Sequence, residues 1–148
     1  MYNKKSKIEL QKSLDNERFN RVTCSFYRYC YINNPEDFRN KLYNDLKKLD
    51  ILGRIYVSKE GINAQISIPE HNLNDLKQYI YSFKIFNSIK FKHAVEEGVS
   101  FIKLKILVRD EIVAYNVPND SYDINKTGIH LKPVDFNKSI KHKDSVIV

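Results

Sequence analysis

The sequence predicts an α+β domain in which an antiparallel sheet carries two helices on one face and leaves the other face open. Runs of alternating apolar and polar residues recur along the chain, helical patterns interrupt them twice, and turn residues separate the pieces. The 148 residues allow one domain of ordinary size. Apolar residues make up 42% and charged residues 29%, with 4 Gly and 4 Pro, which is typical of a globular protein.

The first predicted strand spans residues 22–29, VTCSFYRY, where β-branched and aromatic residues alternate. Asn34 follows as a candidate cap for a helix that has Pro35 at its first position and acidic residues in its first turn. The apolar positions at helical spacing are Phe38, Leu42, Leu46 and Leu49. We expect this helix to end before Gly53.

Two alternating runs, 54–58 and 62–68, predict a hairpin. Gly61 lies between them and can supply the positive φ of a tight turn, and Pro69 ends the second strand. Asn72 or Asn74 can then cap a second helix. The apolar face of that helix is formed by Leu73, Leu76, Tyr79, Ile80 and Phe83.

The last extended patterns span 89–95 and 101–108, and Glu96-Glu97-Gly98 between them predicts a second hairpin. The resulting order is strand, helix, strand, strand, helix, strand, with one strand added. This is the ferredoxin-like βαββαβ arrangement. We assign residues 21–113 to this domain, 1–20 to a polar N-terminal arm and 114–128 to a linker.

The alternation also predicts which side chains point away from the helices. On 101–109 the even-numbered residues from Ile102 to Val108 are aliphatic, so the odd-numbered ones face outward. We call the side of the sheet opposite the helices the outer face. By the same test on all strands, the outer face carries Tyr27, Tyr29, Arg54, Tyr56, Asn63, Gln65, Lys103, Lys105 and Arg109.

Tyrosines beside cations and amides on an open sheet suit single-stranded RNA, because bases stack on rings while Lys and Arg neutralise phosphates. The net charge of +7 also favours a polyanion, although an A/T-biased genome would produce a lysine-rich chain as well. The basic-Gly-aromatic signature of RNA-recognition domains is absent. The alternative is that a neighbouring domain or the N-terminal arm covers this face.

No catalytic residue, metal site or cofactor is identifiable from the residues. The alternation of its strand predicts that Cys24 points into the core. Cys30 lies near Arg28, which would lower the pKa of its thiol, but no nearby residue is evident as a general base for it. The four histidines lack metal-ligand spacing. Glu60 is a conceivable general acid or base, but hairpin turns are usually solvated, so we predict no catalytic role for it.

We predict a soluble, cytoplasmic protein with no membrane partner. No apolar run approaches the ~20 residues that a membrane-spanning helix needs. The N-terminal residues 1–14 are polar and lysine-rich, without the apolar core of a secretory signal.

Three motifs in sequence carry a resemblance to a known family. SFYRY at 25–29 precedes GRIYV at 53–57, and EGINAQI follows at 60–66. In this order and spacing they resemble the N-terminal domain of the bacterial tRNA uridine 5-hydroxylases. The resemblance continues through Lys105, 108–110, 112–113 and Gly128, and so covers roughly residues 22–148.

The resemblance implies an acylphosphatase-like domain followed by a rhodanese domain, and oxygen-dependent 5-hydroxylation of the wobble uridine. It implies tRNA and the rhodanese domain of the same protein as partners, and molecular oxygen as co-substrate. Residues 131–137 and 145–148 resemble the entry segment and first strand of a rhodanese domain, so we expect 129–148 to be its truncated start. Without the rhodanese cysteine loop, the chain alone is expected to be inactive.

Three functions stay open at this point. The first is the tRNA-engaging or scaffolding part of a hydroxylase, and the second is a free-standing RNA-binding module. The third is an acylphosphatase-like hydrolase, with Arg28 and Asn63 as its functional pair. A glycine-rich anion cradle, which that hydrolase needs, is missing between Tyr29 and Pro35.

Overall fold

The computed structural model of the protein describes residues 5–94, 101–113, 121–124, 126, 128–129 and 131–147. The helices within these ranges are α1 (Lys7–Asp15), α2 (Pro35–Lys48), α3 (Leu73–Ser82) and α4 (Pro133–Ser139). The strands are β1 (Arg21–Tyr29), β2 (Leu52–Ser58), β3 (Gly61–Pro69), β4 (Lys92–His93) and β5 (Leu104–Val108). Short 3-10 turns span Glu70–Asn72 and Lys84–Phe86. None of the described helices is long and apolar enough to cross a bilayer.

The sheet confirms the α+β ferredoxin-like prediction and corrects one part of it. Its order is β4-β1-β3-β2-β5, and the first four strands pair antiparallel. The added strand β5 pairs in parallel with β2, from Gly53 opposite Leu104 to Val57 opposite Val108, so the sheet is mixed.

The predicted second hairpin is wrong, because β4 and β5 lie at opposite edges of the sheet. The turn signal at 96–98 lies outside the described residues. Turn residues show where a strand stops, but they do not show which edge the next strand joins. The free edge of β2 could pair with a strand that arrives after a crossover, and a crossover connection is what a parallel pairing requires.

The core lies between the sheet and α2 and α3. Asn34 caps α2 as predicted, because its Oδ1 accepts the Asp37 N–H at 3.3 Å. Asn72 holds the cap position of α3 without a side-chain cap bond, and its amide donates to the Leu49 carbonyl instead. The fully buried side chains shared by these layers include Phe26, Leu42, Leu46, Ile55, Ile62, Ile66, Leu76 and Ile80.

Gly61 is required where β1 and β3 meet. Its φ is +143°, and a Cβ built on it would lie 2.0 Å from the Arg28 carbonyl oxygen. Any side chain would therefore push the two strands apart. The turn prediction for this glycine is confirmed, and close backbone approach adds a second reason for it.

The N-terminal arm contains α1, a helix that we did not predict. The Ser6 Oγ accepts the Glu9 N–H at 3.2 Å, and the Glu9 carboxylate accepts the Ser6 N–H at 2.6 Å. This reciprocal capping box was visible in the sequence as Ser-x-x-Glu. No residue of α1 is fully buried, so its helical start comes from the cap rather than from burial.

The C-terminal tail makes little contact with the domain. Every described residue from 131 to 147 is exposed. The segment 145–148, which resembles a first rhodanese strand, is not a strand at its described residues 145–147, since no neighbouring strand pairs with it there.

Candidate nucleic-acid interface

The strand register arranges the predicted outer-face residues in rows across the sheet. One row runs from Lys92 through Ser25, Gln65 and Arg54 to Lys105. The neighbouring row places Asn63 between two tyrosines, Tyr27 and Tyr56. Alternation along each strand puts both rows on the same side, so the structure brings six of the nine predicted residues together in these rows, and Tyr29, Lys103 and Arg109 lie outside them.

These side chains differ in how much they are exposed. Tyr27 is 51% exposed, the highest value among the three tyrosines of the set. The exposed members are Tyr27, Arg54, Gln65, Lys103, Lys105 and Arg109. The half-buried members are Tyr29, Tyr56 and Asn63.

Two of the tyrosines carry a cation over the ring. The Lys92 ammonium lies 5.5 Å from the ring centroid of Tyr27, and the Arg109 guanidinium lies 5.8 Å from that of Tyr56. Each pair offers an aromatic surface next to a positive charge, which is the combination that stacks a base and holds its phosphate. The sequence pattern did not predict Lys92 here, although extending the alternation past Phe91 would have placed it on this face.

One end of the outer face is covered by the chain that follows β5. The Glu60 carboxylate accepts the Ile112 N–H at 2.7 Å, and the Asn63 amide donates to the Ile112 carbonyl at 3.3 Å. We call these two contacts the Ile112 clasp. Ile112 is only 3% exposed. The segment after β5 therefore covers this end of the face, a contact that neither a neighbouring domain nor the N-terminal arm provides and that the sequence did not predict.

The expectation that Glu60 is solvated is wrong, because it is only 5% exposed. The clasp buries it, and the Tyr122 hydroxyl also donates to its carboxylate at 2.6 Å. That hydrogen bond is the main reason why the pKa of Tyr122 rises to about 12. Sequence reasoning had no signal for this, since the partners lie 52 and 62 residues further along the chain.

The two ends of the outer face differ in the charge of their side chains. Burial raises the pKa of Tyr29, and the nearby carboxylates of Glu60 and Glu111 raise it further. Two carboxylates thus lie near Tyr29, whereas the row from Lys92 to Lys105 carries cations at both edges and at Arg54. A polyanion is favoured on the cationic row and disfavoured at the clasp.

The two cysteines are poor nucleophiles in this fold. Burial raises the pKa of Cys24 to about 11. Burial also raises the pKa of Cys30 to about 11, and outweighs the opposite effect of Arg28. A thiol with this pKa is almost entirely protonated at neutral pH.

We expect iodoacetamide to alkylate both cysteines about a hundredfold more slowly in the native chain than in urea, where thiol pKa values are close to 8.5. The measurement is the modification rate at neutral pH, followed by mass spectrometry. Equal rates in the native and unfolded states would show that the thiols are reactive.

The two residues of the hydrolase hypothesis, Arg28 and Asn63, do not form a pair in this structure. Arg28 lies opposite Ile62 in the register, while Asn63 lies opposite Tyr27, so the two side chains point to opposite faces of the sheet. Arg28 donates to the Asn87 carbonyl at 3.0 Å, and Asn63 is held by the clasp. Within the described part of the chain, no group of three or more His, Cys, Asp and Glu side chains could hold a metal ion.

A known protein family matches the part of the chain that forms the sheet. The family model described as the UPF0176 acylphosphatase like domain matches residues 21–112. The chain belongs to this family. The match begins at β1 and ends at the residue that the clasp holds.

Curated relatives match the whole chain. Proteins named tRNA uridine(34) hydroxylase are 40% identical in Leptospira interrogans, 39% in Photorhabdus laumondii and 40% in Buchnera aphidicola. Each alignment covers 100% of this chain but only 41%, 43% and 48% of the relative. The chain therefore spans less than half the length of these relatives. A solved structure titled "BlrB - a BLUF protein, dark state structure" shares 12% identity with a TM-score of 0.47, over 65% of this chain and 78% of that one.

Proposed function

We propose that this chain is the tRNA-binding N-terminal part of a tRNA uridine(34) hydroxylase, and that residues beyond it carry out the chemistry. The names of the relatives support the enzyme class. The cationic row from Lys92 to Lys105, together with Tyr27 and Tyr56 in the neighbouring row, supports the binding role, because each of these tyrosines has a cation over its ring. The same proposal includes molecular oxygen as co-substrate of the hydroxylation and a C-terminal rhodanese domain as partner.

The outer face binds an unpaired stretch of RNA through charge and stacking. Five strands at about 4.8 Å spacing put Lys92 and Lys105 about 19 Å apart, which is long enough to contact more than one phosphate. Tyr27, exposed and next to Lys92, offers its free ring surface to a base. Gln65 and Arg54, in the middle of the row, can hydrogen-bond to base edges or phosphates.

Reversing the charge of Lys105 is expected to weaken RNA binding. The variant Lys105→Glu should bind a fluorescein-labelled oligouridine several-fold more weakly at low salt. The slope of log affinity against log salt should fall by about 0.7, the value for one phosphate contact to a single strand. The measurement is fluorescence anisotropy over a series of salt concentrations.

The matched control is Lys84→Glu, which makes the same charge change on an exposed lysine beside α3, in the helix layer. The RNA affinity of this variant should fall only slightly, because it loses only the long-range attraction that comes from the net charge. Equal loss in the two variants, or no loss in either, would show that the outer face does not bind RNA.

A scaffolding role is favoured by the tail. Ile129 is 89% exposed, Val134 65% and Ile147 69%, which is unusual for apolar residues of a finished surface. In the longer relatives the corresponding chain continues, so these side chains are available for packing against a further domain. The RNA titration separates this role from the first, because a pure scaffold would show no measurable affinity for RNA.

A further inference from the structure

A cavity of about 480 Å³ lies beside α1, at the end of the sheet where β2 and β5 begin. Its size falls within the range of about 300–1,000 Å³ that is typical of small-ligand sites. Its apolar wall is formed by Leu10 and Leu14 from α1, Tyr43 from α2, and Ile51, Leu52 and Leu104 near the sheet edge.

The charged wall of this cavity is positive. It carries four cationic side chains and two carboxylates. The carboxylate of Glu17 is already neutralised by a bidentate ion pair with Arg21, at 2.6 and 2.7 Å. In the part of the chain that the structure describes, the ammonium groups of Lys47 and Lys103 have no hydrogen bond or ion pair. An anionic group that entered the cavity would meet two unpaired lysines.

One lysine, Lys103, connects the cavity with the predicted outer-face set. This lysine is one of the nine predicted outer-face residues, and it also lines the cavity. Its carbonyl accepts the Gly53 N–H at 2.9 Å, which fixes the backbone of Lys103 just before β5. A strand of RNA that follows the cations of the outer face would therefore be led past Lys105 and Lys103 into the cavity.

We propose that this cavity binds one unpaired nucleotide at the end of the RNA that crosses the outer face. The base would lie against the apolar wall around Tyr43 and Leu52, and the phosphate would lie between Lys47 and Lys103. An apolar wall with a lysine pair at its rim fits an amphipathic anion of this kind better than a free phosphate or an apolar molecule. The inference rests on the proposed function, since the outer face must bind RNA for the cavity to receive its end.

The test uses oligouridines of two lengths, one just long enough to span the sheet and one extended by several nucleotides. Lys47→Glu changes a cavity lysine that lies outside the outer face, Lys105→Glu changes the outer face alone, and Lys84→Glu is the control for net charge. Because a glutamate in the last turn of α2 opposes the helix dipole, Lys47→Gln serves as a second, milder variant. Thermal unfolding checks that each variant is folded.

We expect Lys47→Glu to weaken binding of the long oligonucleotide several-fold, with a salt slope smaller by about 0.7, and to bind the short one as Lys84→Glu does. Lys105→Glu should weaken both. If Lys47→Glu binds the long oligonucleotide as Lys84→Glu does while Lys105→Glu weakens it, the cavity inference is overturned and the proposed function stands. If the unaltered chain binds neither oligonucleotide, the proposed function fails and the cavity inference fails with it.

Discussion

Replacing Gly61 by alanine is expected to lower the free energy of unfolding by about 3 kcal/mol. Two effects add. The φ of +143° is one that alanine adopts only with strain, and the new Cβ would lie 2.0 Å from the Arg28 carbonyl oxygen. The obstacle is backbone rather than a flexible side chain, so β1 and β3 must separate at the end of their ladder.

Urea unfolding followed by circular dichroism measures this loss. Gly128→Ala is the matched control, because a Cβ at Gly128 would meet nothing within 4 Å and its effect should stay within about 0.5 kcal/mol. Equal unfolding midpoints for the two variants would contradict the close approach of the strands at Gly61.

Glu60→Ala is expected to cost about 2 kcal/mol and to release the chain that follows β5. The Ile112 N–H would lose its acceptor in a site where Ile112 is only 3% exposed, and an unsatisfied buried donor carries a desolvation penalty of about 1–3 kcal/mol. Hydrogen exchange should therefore become faster at the Ile112 amide, alongside a lower urea midpoint. Glu60→Gln keeps one carbonyl oxygen as an acceptor, so its urea midpoint and its exchange rate at Ile112 should lie between those of the unaltered chain and of Glu60→Ala.

Glu70→Ala is the control for this change, since Glu70 is exposed and its carboxylate has no hydrogen bond or ion pair among the described residues. Its midpoint and the exchange rate at Ile112 should match those of the unaltered chain. Unchanged exchange at Ile112 in Glu60→Ala would show that the clasp does not hold this segment.

The same substitution has a spectroscopic signature at Tyr122. The Glu60 carboxylate is the main cause that raises the pKa of Tyr122 from 10.0 to about 12. Because the pKa is raised in the folded state, this contribution to stability is complete below about pH 10 and disappears as the pH rises through about 12. In Glu60→Ala the absorbance titration of Tyr122, identified by difference from Tyr122→Phe, should move back toward pH 10.

Local sequence patterns were enough to predict much of the fold. Alternation in 54–58 and 62–68 placed Ile55, Ile62 and Ile66 in the core and Arg54 and Gln65 outside, because a buried face leaves only one register that keeps apolar groups out of water. The cap at Asn34 was equally local. Such features depend on residues that are near one another in sequence, so the sequence alone predicts them.

The features that the sequence did not predict depend on contacts between distant segments. The parallel pairing of β5 with β2 was hidden, because alternation fixes the faces of a strand but not its neighbour. The burial of Glu60 was hidden for the same reason, as its partners Ile112 and Tyr122 lie in a different part of the chain. Alternation therefore predicted the exposure of Tyr27, Arg54, Gln65 and Lys105, while the division of the outer face into a cationic row and a carboxylate end needed the structure.

The Ile112 clasp also constrains the length of the segment that precedes it. β5 ends at Val108, and both backbone groups of Ile112 are held by side chains of the β2–β3 hairpin region, so residues 109–111 must bridge a fixed gap. One added or deleted residue there would turn the N–H of the clasped position away from Glu60 and its carbonyl away from Asn63. The clasp thus constrains the length of this segment, and the identities of Arg109 and Glu111 are constrained as well, by their positions next to Tyr56 and Tyr29.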